Sequence, residues 1–188
     1  MKRFTDWLSG VLNSPDPKIE DMVNYQKPTP SPQVKRPNTD PILAEVERKI
    51  RAGLMEYSRG EPLPMQDYVP NFVDAASKYD LFRYNPYLMP SVGINETSGG
   101  KNITFDNNLI NYGIKFPKIN AEFKATTMDD ALNRSLKEMG QTGQVYKRFR
   151  TGKPLTDEEL LDFANTYEPT NGSYYNQIKG QIGAFERQ

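Results

Sequence analysis

A run of prolines at residues 26–41 divides the sequence and limits where a folded unit can begin. The stretch QKPTPSPQVKRPNTDP contains five prolines and almost no apolar residue. Each proline fixes φ and lacks a backbone donor, so we predict a semi-rigid extended linker. A ligand for a proline-recognition domain is the alternative interpretation. The sequence of 188 residues therefore divides into a segment at 1–25, the linker at 26–41 and one domain at 42–188.

The segment before the linker carries apolar side chains at spacings of three and four. They are Phe4, Trp7, Leu8, Val11 and Leu12. This spacing predicts a short amphipathic helix, and because so short a helix is marginal in water it needs a partner surface. Three interpretations remain open: packing on the chain's own domain, docking of residues 4–12 on a protein partner, or contact with a membrane surface.

The first residues imitate a secretion signal without completing one. Asp6 interrupts the apolar run and no small-residue cleavage site follows, so we predict no signal peptide. No stretch approaches the roughly 20 apolar residues that span a bilayer, so we also predict no transmembrane segment.

Composition excludes several kinds of chemistry. The 24 basic and 24 acidic residues balance, which argues against a nucleic-acid partner. The sequence has no cysteine and no histidine. Zinc-finger spacings, disulfides and Cys or His nucleophiles are therefore absent, and acid–base chemistry must come from Asp, Glu, Lys or Tyr. We expect no metal and no cofactor.

Apolar periodicity and capping residues predict a mostly α (α+β) fold. The predicted helices lie at about 41–60 (apolar face Ile42, Val46, Ile50 and Leu54), 65–79, 85–96, 127–139, 156–163 and from 173 onward. Asp40 with Pro41, and Thr156 with Glu159, are helix-starting patterns. Residues 99–124 are rich in Asn, β-branched and aromatic residues, which predicts loops and a small β-hairpin after Glu96.

The stretch SVGINETSGGKN, residues 91–102, places Glu96 at the end of an apolar helix. The partial negative charge of a helix C-terminus repels an acid, so an acid there is a candidate functional group. Apolar surroundings favour the protonated form of a carboxyl group, which general-acid cleavage of a glycosidic bond requires. We expect Gly93 to leave space beside Glu96, and Gly99 and Gly100 to turn the next segment across a cleft. A solvated glutamate beside a glycine helix cap is the alternative.

Four blocks in order resemble the lysozyme-like superfamily of peptidoglycan-cleaving enzymes, which includes lytic transglycosylases and bacterial N-acetylglucosaminidases. They are Leu88–Lys101 with Glu96-Thr97-Ser98-Gly99-Gly100, then Asn111-Tyr112-Gly113, then Phe123 with Met128-Asp129-Asp130-Ala131-Leu132, and last Tyr167-Glu168-Pro169 with Asn171-Gly172-Ser173-Tyr174. The resemblance covers roughly residues 65 to 186, and it implies a lysozyme-like helical domain.

The resemblance also implies roles for individual residues. Glu96 is similar to the family's general acid, Tyr112 to an aromatic of the cleft wall, and Tyr167 to the tyrosine that orients substrate or carboxyl. Substrate contacts are expected at Thr97, Ser98, Asn111, Tyr112 and Tyr167. Hairpin packing for Tyr112 and helix-end packing for Tyr167 are the alternatives.

A second carboxylate is needed only for some of the family's reactions. A two-carboxylate mechanism requires another acid about 5–9 Å away, and Asp106 and Glu122 are the candidates. Lytic transglycosylases, as the resemblance implies, use the N-acetyl group of the substrate instead. The sequence leaves hydrolysis and transglycosylation open.

The resulting hypothesis is a tethered enzyme that cleaves the β-1,4 glycan backbone of peptidoglycan at the bacterial cell wall. The competing hypothesis is a non-catalytic docking protein of a larger assembly such as a phage particle, and a virion-associated enzyme would combine the two. Lys147, Arg148, Arg150 and Lys153 form a basic patch. We interpret it as a solvated loop or as a surface that attracts acidic stem peptides.

Overall fold

A computed structural model describes residues 40–102, 109–110 and 128–188. These residues are mostly helical and contain no β-strand, which confirms the predicted mostly-α class for this part of the chain. The α-helices are α1 (Pro41–Tyr57), α2 (Val69–Lys78), α3 (Asp80–Arg83), α4 (Leu88–Thr97), α5 (Met128–Lys137), α6 (Asp157–Tyr167) and α7 (Tyr174–Glu186). Short 3₁₀ helices cover Pro64–Tyr68 and Lys147–Phe149, and a π-helical turn covers Glu138–Thr142.

Several predictions lie outside the described residues. They are the amphipathic segment 1–25, the linker up to residue 39, and nearly all of the predicted β region. Within residues 40–102, 109–110 and 128–188, each helix is too short or too polar to cross a lipid bilayer.

Helix α1 starts as its sequence predicts. The Asp40 side chain accepts a hydrogen bond from the Ile42 amide at 2.9 Å, and Pro41 occupies the first turn. Val46, Ile50 and Leu54 are buried as expected, but Ile42 is 73% exposed. The prediction for Ile42 was wrong because the first turn of α1 projects beyond the apolar core.

The second predicted helix, 65–79, divides into two elements. Residues Pro64–Tyr68 form a 3₁₀ helix, and the α-helix begins at Val69. Pro70 lies in the first turn of α2, where its missing N–H costs no intrahelical bond. Phe72 and Ala76 face the core, and α2 packs against α1 and α5.

Helix α4 is buried on every side over its first seven residues, Leu88 to Ile94. Its buried residues are Leu88, Met89, Pro90, Ser91, Val92, Gly93, Ile94 and Thr97. Pro90 lies in its first turn, where it interrupts no hydrogen bond of the helix interior. The core around α4 extends through α1, α2, α6 and α7, and α7 packs on both α4 and α6.

The C-terminal helices also follow local sequence chemistry. The Thr156 hydroxyl accepts from the Glu159 amide, and the Glu159 carboxylate accepts from the Thr156 amide, which completes the predicted capping box of α6. Helix α6 continues to Tyr167, beyond the predicted end at Phe163. Helix α7 buries Tyr174, Ile178 and Phe185, while Tyr175 and Ile182 are only partly buried.

Candidate active site

Glu96 is the penultimate residue of α4, and its side chain is partly exposed. The last turn of α4 contains no basic residue that would offset a negative charge at a helix C-terminus. The Tyr174 hydroxyl at the start of α7 donates a hydrogen bond to Oε1 of Glu96 at 2.7 Å. This contact joins residues that are 78 positions apart in the sequence. It gives the Glu96 carboxyl group a hydrogen-bond donor at a helix C-terminus, where the partial negative charge of the helix disfavours a carboxylate.

Tyr174 is buried, with 3% of its surface exposed. Burial first, and then the negative charge and the hydrogen bond of Glu96, raise the pKa of Tyr174 above the ordinary tyrosine value. The phenol therefore stays protonated at neutral pH and remains a donor to Glu96. Its ring stacks on the Tyr167 ring, with centroids 5.9 Å apart and planes 5° apart. The hydroxyl is thus presented to Glu96 from a fixed position.

Tyr167 stacks on Tyr174, the residue that bonds Glu96. Its hydroxyl donates to the backbone carbonyl of Ile110, and its other face stacks on Phe163 at 6.0 Å. The tyrosine that touches the carboxylate is therefore Tyr174, for which the sequence predicts no role of its own. The available signal was its position on α7, four residues before Ile178 and on the same face.

Thr97 and Ser98 end α4 and shape the turn that follows. The Thr97 hydroxyl lies 2.8 Å from the Gly93 carbonyl oxygen and 3.0 Å from the Leu109 carbonyl oxygen, and it accepts from the Gly100 amide at 3.0 Å. Thr97 is fully buried, so any effect on a ligand has to pass through this turn. Ser98 has a left-handed backbone with φ of 51°, and its hydroxyl accepts from Asn102 at 3.1 Å.

Gly99 and Gly100 continue the left-handed turn, with φ of 69° and 91°. Left-handed backbone is accessible to glycine without the steric cost of a Cβ. A Cβ on Gly99 would also lie 2.7 Å from the Leu63 side chain, and the Gly99 carbonyl accepts from the Met65 amide at 3.1 Å. The two glycines therefore fasten the end of α4 to residues 63–65.

The expectation that Gly93 leaves open space beside Glu96 was wrong. A Cβ at Gly93 would lie 2.5 Å from Cε of Met65, so that side chain already fills the position. Met65 is fully buried. Gly93 allows Met65 to pack closely against α4, and a space for substrate has to lie on another side of Glu96.

Four predicted site residues lie outside the described residues. They are Asn111 and Tyr112, expected to contact substrate, and the candidate second carboxylates Asp106 and Glu122. Within the described part of the chain, acidic side chains form no group that could hold a metal ion.

The predicted basic patch is largely engaged within the protein. Arg148 makes two hydrogen bonds to the Asp162 carboxylate at 2.7 and 2.9 Å, and Lys153 lies 3.5 Å from Glu159. The Arg150 guanidinium donates to the backbone carbonyls of Met139, Gln141, Glu138 and Gly143 at 2.6–3.0 Å. Arg150 thus holds the π-helical turn together. Its engagement weakens the interpretation of the basic patch as a surface that attracts acidic stem peptides.

A shallow depression of about 250 Å³ lies between α2 and α5, and its lining does not include Glu96. Its lining includes Asp74, Lys78, Tyr79, Asn133, Arg134 and Lys137. Asp74 pairs with Lys78 at 2.6 Å, and Arg134 pairs with Asp130 at 2.8 Å. Most of the charge that lines this depression is therefore paired with neighbouring side chains.

Comparisons with known proteins add no relative: no family model, no curated protein and no solved structure matches this chain.

Proposed function

We propose that this protein cleaves the β-1,4 glycan backbone of bacterial peptidoglycan with Glu96 as the general acid. The supporting observation is the Glu96–Tyr174 pair, in which a partly exposed carboxyl group at the end of a buried helix meets one buried, protonated phenol at 2.7 Å. The order of the four motif blocks that resemble the lysozyme-like superfamily supports the same assignment.

In the proposed reaction the Glu96 carboxyl group gives its proton to the leaving glycosidic oxygen as the C1–O bond breaks. Negative charge then appears on the carboxylate, one oxygen of which accepts the hydrogen bond of Tyr174. Because this bond strengthens as charge develops, it stabilises the transition state more than the ground state. The high pKa of Tyr174 keeps its proton from moving to Glu96.

The second half of the reaction has two proposed routes. In a hydrolase, a carboxylate about 5–9 Å from Glu96 would activate water or form a covalent intermediate, and Asp106 and Glu122 remain the candidates. In a lytic transglycosylase, the N-acetyl carbonyl oxygen of the substrate would attack C1 as the glycosidic oxygen leaves. The C6 hydroxyl of the same sugar would then displace the N-acetyl oxygen from C1 and give its proton to the Glu96 carboxylate, which leaves an anhydro sugar and a protonated Glu96.

The test is mass spectrometry of purified peptidoglycan digested by the wild type, by Glu96→Gln and by the control Glu158→Gln. Glu158 is an exposed carboxylate on α6, so its amide should leave activity unchanged. We expect muropeptides from the wild type and the control, and none from Glu96→Gln. Anhydro products indicate a transglycosylase, and reducing ends indicate a hydrolase.

Two results would contradict the proposal. Activity retained by a folded Glu96→Gln protein would show that another group supplies the proton. Absence of release by the wild type would favour the docking hypothesis, in which deletion of residues 1–25 should abolish binding to a protein partner.

A further inference from the structure

Helix α4 lacks the apolar stripe that normally fixes how a helix is rotated about its axis. An amphipathic helix is oriented because only one face is apolar, whereas α4 buries residues on all sides from Leu88 to Ile94. Rotation of α4 by a fraction of a turn would replace one set of apolar contacts by another, apart from the close packing of Met65 on Gly93, and would carry Glu96 away from Tyr174. A directional contact between α4 and α7 would act together with that packing to select the observed rotation.

Asn95 and Gln181 provide such a contact between α4 and α7. The Gln181 Nε2 atom donates to Oδ1 of Asn95 at 3.0 Å. The remaining amide atoms, Nδ2 of Asn95 and Oε1 of Gln181, are buried and have no partner among the described residues. Turning both amides over would exchange which atoms bond, yet one donor and one acceptor would still lack a partner.

Buried polar atoms without partners reduce stability, so this pair is not explained by a gain in stability. Buried polar pairs can instead select one helix register over others. Asn95 directly precedes Glu96, and Gln181 follows Tyr174 by seven residues, two turns along one face of α7. The two hydrogen bonds therefore join the same two helices.

We infer that the Asn95–Gln181 amide pair sets the rotation of α4 against α7 and thereby places Glu96 at the Tyr174 hydroxyl. Both are positioning residues that act through Glu96. The kinetic part of the test rests on the proposed function, whereas the spectroscopic part is independent of any activity.

The spectroscopic test replaces the pair by apolar side chains of similar size, Asn95→Leu with Gln181→Met. The proton of the Tyr174 hydroxyl is buried and bonded to a carboxylate, and its NMR resonance is assigned by its loss in Tyr174→Phe. We expect the double variant to unfold at the wild-type temperature or above it, because two unpaired amide atoms are removed. We also expect the hydroxyl resonance to broaden or disappear.

The kinetic test uses soluble, uncross-linked glycan strands. If α4 rotates, Glu96 is misplaced, and kcat should fall on the order of 100-fold, with KM within about twofold of the wild type. The swapped pair, Asn95→Gln with Gln181→Asn, keeps both amides and the total number of methylenes. It should restore the resonance and most of kcat.

A matched control is Asn71→Leu. The Asn71 amide donates to Asp129 and Asn133 at 3.1 Å, so it links α2 to α5 and not α4 to α7. This variant should lose stability while it keeps the Tyr174 resonance and kcat.

The possible results distinguish failure of this inference from failure of the proposed function. A double variant that keeps the resonance, or one that unfolds at a lower temperature than the wild type, overturns the inference. A swapped pair that restores neither readout overturns it as well. If the resonance responds as expected while even the wild type releases no product, the inference stands and the proposed function fails.

Discussion

Tyr174→Phe removes one oxygen atom and with it the 2.7 Å hydrogen bond to Glu96. The ring keeps its burial and its stacking on Tyr167, so packing changes little. A hydrogen bond to a charged group contributes about 1.5–3 kcal/mol, and a factor of ten in rate corresponds to about 1.4 kcal/mol. Because the bond is already present at rest, only the part gained as charge develops lowers the barrier, so the whole bond sets an upper limit of roughly 10- to 150-fold on the fall in kcat.

The assay is the rate of muropeptide release from soluble glycan strands, with kcat and KM determined separately. We expect KM to change little, because the lost bond stabilises charge that develops during proton transfer. The free energy of unfolding, measured in urea, should fall by only about 1 kcal/mol, since Glu96 is partly exposed and water can hydrate it.

The matched control is Tyr175→Phe on the same helix. Tyr175 is partly buried and its hydroxyl accepts from Lys179 at 3.2 Å, so the control removes a phenol oxygen that does not meet the acid. Wild-type kcat is expected for the control. Wild-type kcat for Tyr174→Phe as well would refute the reasoning, because the bond would then have no role in proton transfer.

Three further predictions concern stability and are measured by urea or thermal unfolding. Gly180→Ala, with open space around it, should stabilise by about 0.5–1 kcal/mol. Gly93→Ala should be less favourable than Gly180→Ala by about 1 kcal/mol, because its Cβ would lie 2.5 Å from Cε of Met65 and that buried methyl would have to move; equal effects would contradict the packing argument. Arg150→Lys should cost about 2 kcal/mol because one ammonium cannot serve four carbonyl oxygens, and an unchanged midpoint would show that these hydrogen bonds are not needed. The raised pKa of Tyr174 means that above pH ~10 the unfolded chain loses a proton that the folded chain keeps, so stability should decline with rising pH, and less steeply in Tyr174→Phe.

Helix ends set by local chemistry could be predicted from the sequence. The Asp40 cap and the Thr156–Glu159 capping box each depend on residues within three positions of one another, so their patterns are visible without a structure. The exposure of Ile42 and the π-helical turn Glu138–Thr142 were not predicted. The first depends on where the core ends, and the second is held by Arg150, whose contacts cross a loop.

In the candidate site, too, local patterns could be predicted from the sequence and contacts between distant residues could not. The position of Glu96 beside a glycine turn is a local pattern, and the sequence predicted it. Its partner Tyr174 is 78 residues away and belongs to another helix, so no spacing rule connects the two. The packing at Gly93 depends on Met65, which is equally invisible in a local window.

Three contacts at or near Glu96 join residues that are distant along the chain, and this determines when the site can form during synthesis. Tyr174 meets Glu96 across 78 positions, Gln181 meets Asn95 across 86, and Tyr167 meets Ile110 across 57. Long loops must close before such contacts form, so they follow the helices in folding. A nascent chain would present Glu96 without its phenol partner until residues 174–186 had left the ribosome. If Glu96 is the acid that we propose, wall-cleaving activity would therefore appear only after α7 has docked.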